Sequence, residues 1–269
     1  MPLRLALAAA GMPLVVDLAG ILPERLGDLD AAAVARLPIG VDGRSRPLGE
    51  VFAVAGSAAD GGLEIQGDCS RVHRIAAAMT AGWIDVAGTV GRHAAEQMAG
   101  GRFHIGGSAG DWLACEMTGG EVVVTGSAGD HTAGALPGSP VGMNGGVVVV
   151  HGDVGHLAGS RMRRGILAVG GDCGTAAAFE MRAGTVVVAG AVGPHAALAM
   201  RRGSFVALAD RPRLPPGFRR GVAWSPPFLP LVLARLSRSG FRPPSPLGRW
   251  RQWHGDGLEG GRGEVFAPD

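Results

Sequence analysis

GWIDVAGTVGRHAAEQMAG (residues 82–100) and GRFHIGGSAGDWLACEMTG (residues 101–119) are two copies of one 19-residue pattern laid end to end. Each opens on a glycine, carries a second glycine six residues on and a third at nine, and ends with a methionine three residues before the next opening glycine. The methionines that recur this way are Met79, Met98, Met117, Met143, Met162, Met181 and Met200, seven of the nine in the chain. Their gaps are 19, 19, 26, 19, 19 and 19 residues, and the glycines that follow are Gly82, Gly101, Gly120, Gly146, Gly165, Gly184 and Gly203. A period held this strictly predicts a stack of equivalent units.

Between the first two glycines of each repeat, apolar residues alternate: Ile84/Val86, Phe103/Ile105, Val122/Val124, Val148/Val150, Leu167/Val169 and Val186/Val188. Period-two alternation bounded by glycine reads as a short β-strand with one face inward. A weaker copy, Leu63/Ile65 with Gly67 and Met79, begins near Gly61. Nineteen residues are too few for a β-α unit with its turns, but they suit one coil of a parallel β-helix, with equivalent positions ~4.8 Å apart along the axis. The expected fold is therefore all-β: a single right-handed parallel β-helix of about seven to eight ~19-residue coils with irregular N- and C-terminal caps. The glycines mark corners that need φ > 0 or close backbone approach, and Gly126 is expected to be a corner with φ > 0. The methionine column fills the inside, where a flexible unbranched side chain suits uneven space.

Three segments follow. Residues 1–60 form an N-terminal cap, with a short helix from Leu29 to Leu37 stopped by Pro38 and a lead-in strand from Leu48 to Val54. Residues 61–209 are the repeat domain. Residues 210–269 are a C-terminal cap or interface extension, rich in Pro and Arg and carrying Trp224, Trp250 and Trp253. Ten of the 18 prolines lie between Pro212 and Pro268, so this tail is not expected to pack as further coils. Trp and Arg are favoured interface anchors, which points the tail toward a partner. One irregularity interrupts the repeats: seven extra residues within GALPGSPVGMNGG (Gly134 to Gly146) must leave the stack as a loop, where solenoids commonly touch partners.

The net charge of +2 implies no general polyanion binder. All 25 basic residues are Arg, with no Lys and no Tyr, a skew expected of a GC-rich bacterial genome. Cys69 and Cys173 share a column but lie ~24 Å apart at the coil spacing, and Cys115 lies in another column. Reduced thiols and a cytoplasmic location follow. The opening MPLRLALAAAGMPLVV reads as a first strand or cap rather than a cleaved leader, and no stretch is long enough to span a bilayer.

Candidate chemistry is sparse. Gly106-Gly107-Ser108-Ala109-Gly110 matches G-x-S-x-G, but the next coil repeats Gly126-Ser127-Ala128-Gly129, so the repeat explains it better than a nucleophile elbow does. His93, His131 and His195 share position eleven in separate coils, ~10 Å or more apart, too far to share a metal. Asp68, Asp153 and Asp172 share position seven and read as turn formers. No catalytic, cofactor-binding or metal-ligating residue is assigned.

The pattern Gly-φ-φ-x-Val-x-Gly-x-x-Gly followed by Met-x-x-Gly, with φ here an apolar residue, resembles the glycine-repeat domain shared by the C subunit of formylmethanofuran dehydrogenase and the C-terminal domain of large-subunit glutamate synthase. LGEVFAVAG (Leu48 to Gly56), GDCSRVHRI (Gly67 to Ile75), GSPVGMNGG (Gly138 to Gly146) and RWRQWHGDGLEGGRGEVF (Arg249 to Phe266) look like the dehydrogenase-family version. The resemblance covers nearly the whole chain, unlike a glutamate synthase domain, which belongs to a far larger polypeptide. Two versions of the C subunit exist. One belongs to the methanogen dehydrogenase, with its tungsten or molybdenum pterin and iron–sulfur partners. The other belongs to the formyltransferase/hydrolase complex of methylotrophic bacteria, which moves formyl from formyl-tetrahydromethanopterin to a methanofuran analogue and releases formate. The Arg-only composition favours the bacterial one; a stand-alone glutamate-synthase-like β-helix is the remaining alternative. The resemblance implies a non-catalytic scaffold within a hetero-oligomer, no cofactor in this chain, and partner subunits that carry zinc and the methanofuran analogue. It implies no nucleic-acid or membrane partner.

Overall fold

A computed structural model describes residues 2–7, 15–209, 211–243 and 248–269. The chain is mostly β, with few helices and a 13-stranded, largely parallel sheet. The repeat strands pair in the register of the sequence columns. One inward column runs Leu63, Ile84, Phe103, Val122, Val148, Leu167, Val186, Phe205, each residue opposite the next in a parallel pair. Two further ladders link the same repeats. Parallel bridges join Cys69, Val90, Ala109, Ala128, Val154, Cys173 and Val192 in turn. Backbone N–H groups at position thirteen donate to the preceding repeat, as in Ala114 N to Ala94 O (2.8 Å) and Ala133 N to Leu113 O (2.7 Å). Every repeat thus satisfies its backbone on three flanks through its neighbours, which a lone 19-residue segment could not do.

All seven repeat methionines are fully buried. Met79 to Met181 each reach past the next opening glycine to the one after it: a Cβ built on Gly120 would lie 2.9 Å from Met98 Cε and 2.8 Å from Gly101 O, and Gly120 has φ +87°. The opening glycine is therefore required twice over, by conformation and by space. Gly126 corrects the sequence expectation. Its φ is not in the left-handed region; a Cβ there would instead collide with Ser108 Oγ and come 2.8 Å from Gly107 O. The second glycine serves close approach, not turn geometry.

The left-handed conformations fall largely on other residues. Positions eleven, thirteen and fifteen adopt φ near +55 to +60° in successive repeats: His93 (59°), Ala95 (56°) and Gln97 (55°), then Trp112 (58°), Ala114 (53°) and Glu116 (56°). Such conformations cost non-glycine residues ~1–2 kcal/mol each, and the inter-repeat hydrogen bonds offset them. Position thirteen is tiny because its side chain is also sealed inside, as the full burial of Ala95, Ala114, Ala133, Ala178 and Ala197 shows.

Both chain ends join the sheet. The strand Leu3–Leu7 pairs parallel with Gly62–Gln66 and antiparallel with Phe52–Ala55, so Leu3 and Leu5 extend the inward columns although residues 1–60 lack the repeat. The expected helix is confined to Ala31–Ala35, capped by Asp30, and Pro38 opens a strand of a small four-stranded sheet. The expected lead-in strand is a 3₁₀ turn, Leu48–Glu50, followed by the strand Phe52–Ala55. Residues 8–14 of the opening stretch lie outside the described residues.

The tail overturns one expectation. Arg262–Pro268 pairs parallel with Arg202–Ala207, placing Val265 beneath Phe205 as another layer, and Trp250–Gly255 and Arg219–Trp224 continue the sheet antiparallel. The helix Phe228–Ser237 lies across the outer sheet face, where Leu229, Leu233, Leu236 and Phe241 cover Val147, Val149, Ala168, Val187 and Val206. Its last turn is pinned by Ser239 and Arg235 to Glu121. The signal was present in the strands. In VVVV (residues 147–150) and TVVV (residues 185–188) the outward Val149 and Val187 are apolar too, the mark of a strand buried on both faces, whereas earlier repeats put Asp85 and His104 at that position.

Candidate functional surfaces

The polar residues that looked chemical in sequence are spent on holding repeats together. At position seven, Thr89 Oγ1 accepts from Ser108 N (3.2 Å), Ser108 Oγ from Ser127 N (3.1 Å), and Ser127 Oγ from Asp153 N (3.1 Å). Asp153 Oδ1 then accepts from Asp172 N and Asp172 Oδ1 from Ala191 N, both at 2.7 Å. Ser108 of the G-x-S-x-G match is one rung of this ladder, and so are Asp153 and Asp172. Asp68 instead turns back on Ser70 N (3.0 Å), the turn-forming role expected of it.

A second ladder runs parallel to it. His73 Nδ1 accepts from Arg92 N (2.9 Å), Asp111 from Asp130 N (3.1 Å), Asp130 from His156 N (2.7 Å), and His156 Nδ1 from Thr175 N (3.0 Å). The next residue of this column is Pro194, which has no N–H to donate, so the ladder stops without an orphan. His73 can accept only while its Nδ1 is unprotonated. Burial first, then the neighbouring Arg92, lower its pKa below 6.5; Asp17 pulls the other way, and His93 adds a smaller lowering. Between that lowered value and 6.5 the unfolded chain binds more protons than the folded one. The contribution is present above pH 6.5 and is lost as pH falls. His73→Asn, which keeps an acceptor but does not titrate, should flatten the loss of melting temperature between pH 7.5 and 5; an unchanged slope would clear His73 of any part in it.

The histidines of position eleven do not converge. Trp112 stands between His93 and His131 and stacks on both, with centroids 5.1 Å apart each way and planes within 8° and 5°. Leu157 and Ala176 then separate this column from His195. Among the described residues no group of three His, Cys, Asp or Glu could hold a metal ion. Cys69, Cys115 and Cys173 are free and buried; burial pushes the Cys173 thiol up to about 12, and burial with nearby Asp68 does the same for Cys69. The insertion is tied down rather than loose: Arg161 Nη1 donates to Ser139 O (2.9 Å) while its Nε pairs with Glu180 (2.9 Å), and Gly142 N donates to Arg161 O (2.9 Å).

One strongly charged feature escaped the sequence reading. Just before the opening glycines, the early repeats carry Thr80-Ala81, Ala99-Gly100, Thr118-Gly119 and Asn144-Gly145; the later ones carry Arg163-Arg164, Arg182-Ala183 and Arg201-Arg202. Arg262 of the added layer pairs directly opposite Arg202. These six arginines line an open groove of about 660 Å³. Among the described residues one carboxylate answers them, Glu259, 2.8 Å from Arg201. Like charges placed opposite on neighbouring strands destabilise a sheet, so packing alone gives no reason for this column.

No family model matches the chain. Two curated proteins match over part of it. The C subunit of the formyltransferase/hydrolase complex Fhc of Methylorubrum extorquens is 38% identical over 81 residues, 30% of each chain. The C subunit of molybdenum-containing formylmethanofuran dehydrogenase 1 of Methanosarcina barkeri is 34% identical over 77 residues, 27% of this chain and 26% of that protein. The chain thus spans less than a third of the length of the curated relatives it matches. Among solved structures, a chain of the formyltransferase/hydrolase complex (FhcABCD) from Methylorubrum extorquens in complex with methylofuran superposes with a TM-score of 0.88 at 35% identity, covering 99% of both chains. Agreement from end to end, through both capping segments as well as the repeats, identifies this chain as a member of the C-subunit family of the formyltransferase/hydrolase complex.

Proposed function

We propose that the chain is a non-catalytic scaffold subunit of a bacterial complex that transfers formyl from formyl-tetrahydromethanopterin to a methanofuran analogue and then releases formate. In this reading the three inter-repeat ladders wind as a right-handed parallel β-helix, rigid because each layer is bonded to the next on every flank. The observation that carries the proposal is the pairing of an end-to-end likeness to a chain of the Methylorubrum complex with the employment of Ser108, Asp153 and Asp172 in backbone ladders. A chain whose plausible nucleophile and carboxylates are consumed by its own architecture supports partners rather than acting on substrate. Zinc and the methanofuran analogue would then reside with the partner subunits, in the cytoplasm. No helix among the described residues is long and apolar enough to cross a membrane.

The dehydrogenase reading keeps a foothold in the shorter match to the Methanosarcina protein. Affinity-tagged chain, expressed in its source organism, should bring down formyltransferase and amidohydrolase-like subunits in fixed ratio. Recovery of a pterin- and iron–sulfur-containing partner set would favour the dehydrogenase instead, and recovery of the chain alone would remove the scaffold reading.

A further inference from the structure

We infer that the arginine groove is a docking surface for an acidic α-helix of a partner protein, one that presents carboxylates once per turn along one face. The inference goes beyond the scaffold reading, because it names the element that docks, and it does not depend on which reaction the assembly performs.

The charge is arranged by the fold rather than scattered. Arg163 with Arg164, Arg182, Arg201 with Arg202, and Arg262 occupy four successive layers, at or just before the start of each strand: the Arg163, Arg182 and Arg201 N–H groups donate in turn to Met143, Met162 and Met181 O, and Arg262 pairs with Arg202. Three layer spacings of ~4.8 Å put the first and last about 14 Å apart. Three turns of an α-helix rise about 16 Å at 5.4 Å per turn, a mismatch of ~2 Å that arginine side chains can absorb. An extended strand presents like-facing side chains every ~6.6 Å, so three intervals span about 20 Å and fall out of step by ~6 Å. The periodicity selects a helix over a strand.

The chemistry selects carboxylates. Apart from Arg201 with Glu259, none of the six guanidinium groups makes an ion pair among the described residues, and Arg182 Nε is buried without any hydrogen-bond partner. A forked planar donor suits a carboxylate bidentately, and a groove walled by one sign of charge raises both encounter rate and salt dependence. The early repeats carry no basic residue at the equivalent positions, so the surface is local to the later repeats and the added layer that supplies Glu259 and Arg262.

The test uses the full chain and three synthetic probes: a helical peptide with glutamates at i, i+4, i+7 and i+11, a scrambled peptide of the same composition and helicity, and citrate as a free polycarboxylate. Titration calorimetry at low salt should show the patterned peptide binding about tenfold tighter than the scrambled one, with affinity falling as salt rises. Arg182→Ala with Arg202→Ala should reduce that binding about tenfold or more, while Arg71→Ala, a basic residue outside the groove, should leave it unchanged. Circular dichroism and melting of each variant separate lost binding from lost fold; should the double variant melt early, Arg163→Gln alone is read instead. Equal binding of patterned and scrambled peptides would overturn the helix assignment. Citrate binding as tightly as the peptide would make the groove a site for small anions, and binding that survives the arginine changes would place the surface elsewhere. None of these outcomes depends on recovering formyl-transferring partners.

Discussion

Gly120→Val should destabilise the chain strongly, lowering its melting temperature by about ten degrees or more. Two independent costs combine. Gly120 has φ +87°, a region in which a β-branched residue is strained by ~1–3 kcal/mol. Its Cβ would also press on Gly101 O and on Met98 Cε, one atom of backbone and one of packed core, for another ~1–3 kcal/mol of overpacking. Since each layer is the template for the next, strain at Gly120 is felt in the repeats on both sides. The sum, ~2–6 kcal/mol, takes a large share of the ~5–15 kcal/mol by which an ordinary domain is stable. Gly138 supplies the control: it shares a positive φ of +81°, but nothing lies within 4 Å of its Cβ position. Gly138→Ala should cost only about 1 kcal/mol, the strain without the collision. Thermal melts of the two variants make the comparison, and equal effects would mean that the methionine–glycine contact contributes little.

The second large effect concerns the tail. Deleting Phe241 to Asp269 should destabilise the chain itself and not merely loosen its association with partners, as the sequence alone suggested. The deletion removes Val265 and Ala267 from the inward column and Trp253 from the main core. From the outer cluster it removes Phe241, Trp250 and Phe266, which strips Val149, Val187, Val206 and Leu233 of part of their cover. Losing a single buried Phe or Trp costs ~3–5 kcal/mol, and here several go together. Phe266→Ala isolates the effect with the surface left intact. Its ring packs on Phe228 (5.4 Å) and near Trp224 (6.5 Å), so the variant should lower the melting temperature by ten degrees or so, given ~3–5 kcal/mol. A truncated chain that melted as before would return the tail to a purely external role.

What could be read in advance was whatever repeats. Opening glycine, alternating pair and methionine specify the strands, their register and the buried column, because a stacked position tolerates one kind of residue and the sequence must restate it in each layer. The departures from expectation lie where different residues fill one structural slot. His93, Trp112 and His131 share a left-handed conformation that no residue-type rule announces, since the requirement is set by the neighbouring layer rather than by the side chain. The helix Phe228–Ser237 was hidden by Pro227 and Pro230, although proline at a helix start forfeits no hydrogen bond. The arginine groove is invisible to a count of arginines along the tail and emerges only down the column before each opening glycine.

The absence of a catalytic role is the claim most exposed to experiment. Purified full-length chain, free of other subunits, should be given formyl-tetrahydromethanopterin and a methanofuran analogue and followed for formate release. No turnover above buffer is expected, because Ser108, Asp153 and Asp172 are held by the backbone of adjoining repeats. Formate release that co-purifies with the chain and disappears in Ser108→Ala or Asp172→Asn, with the fold intact, would contradict it.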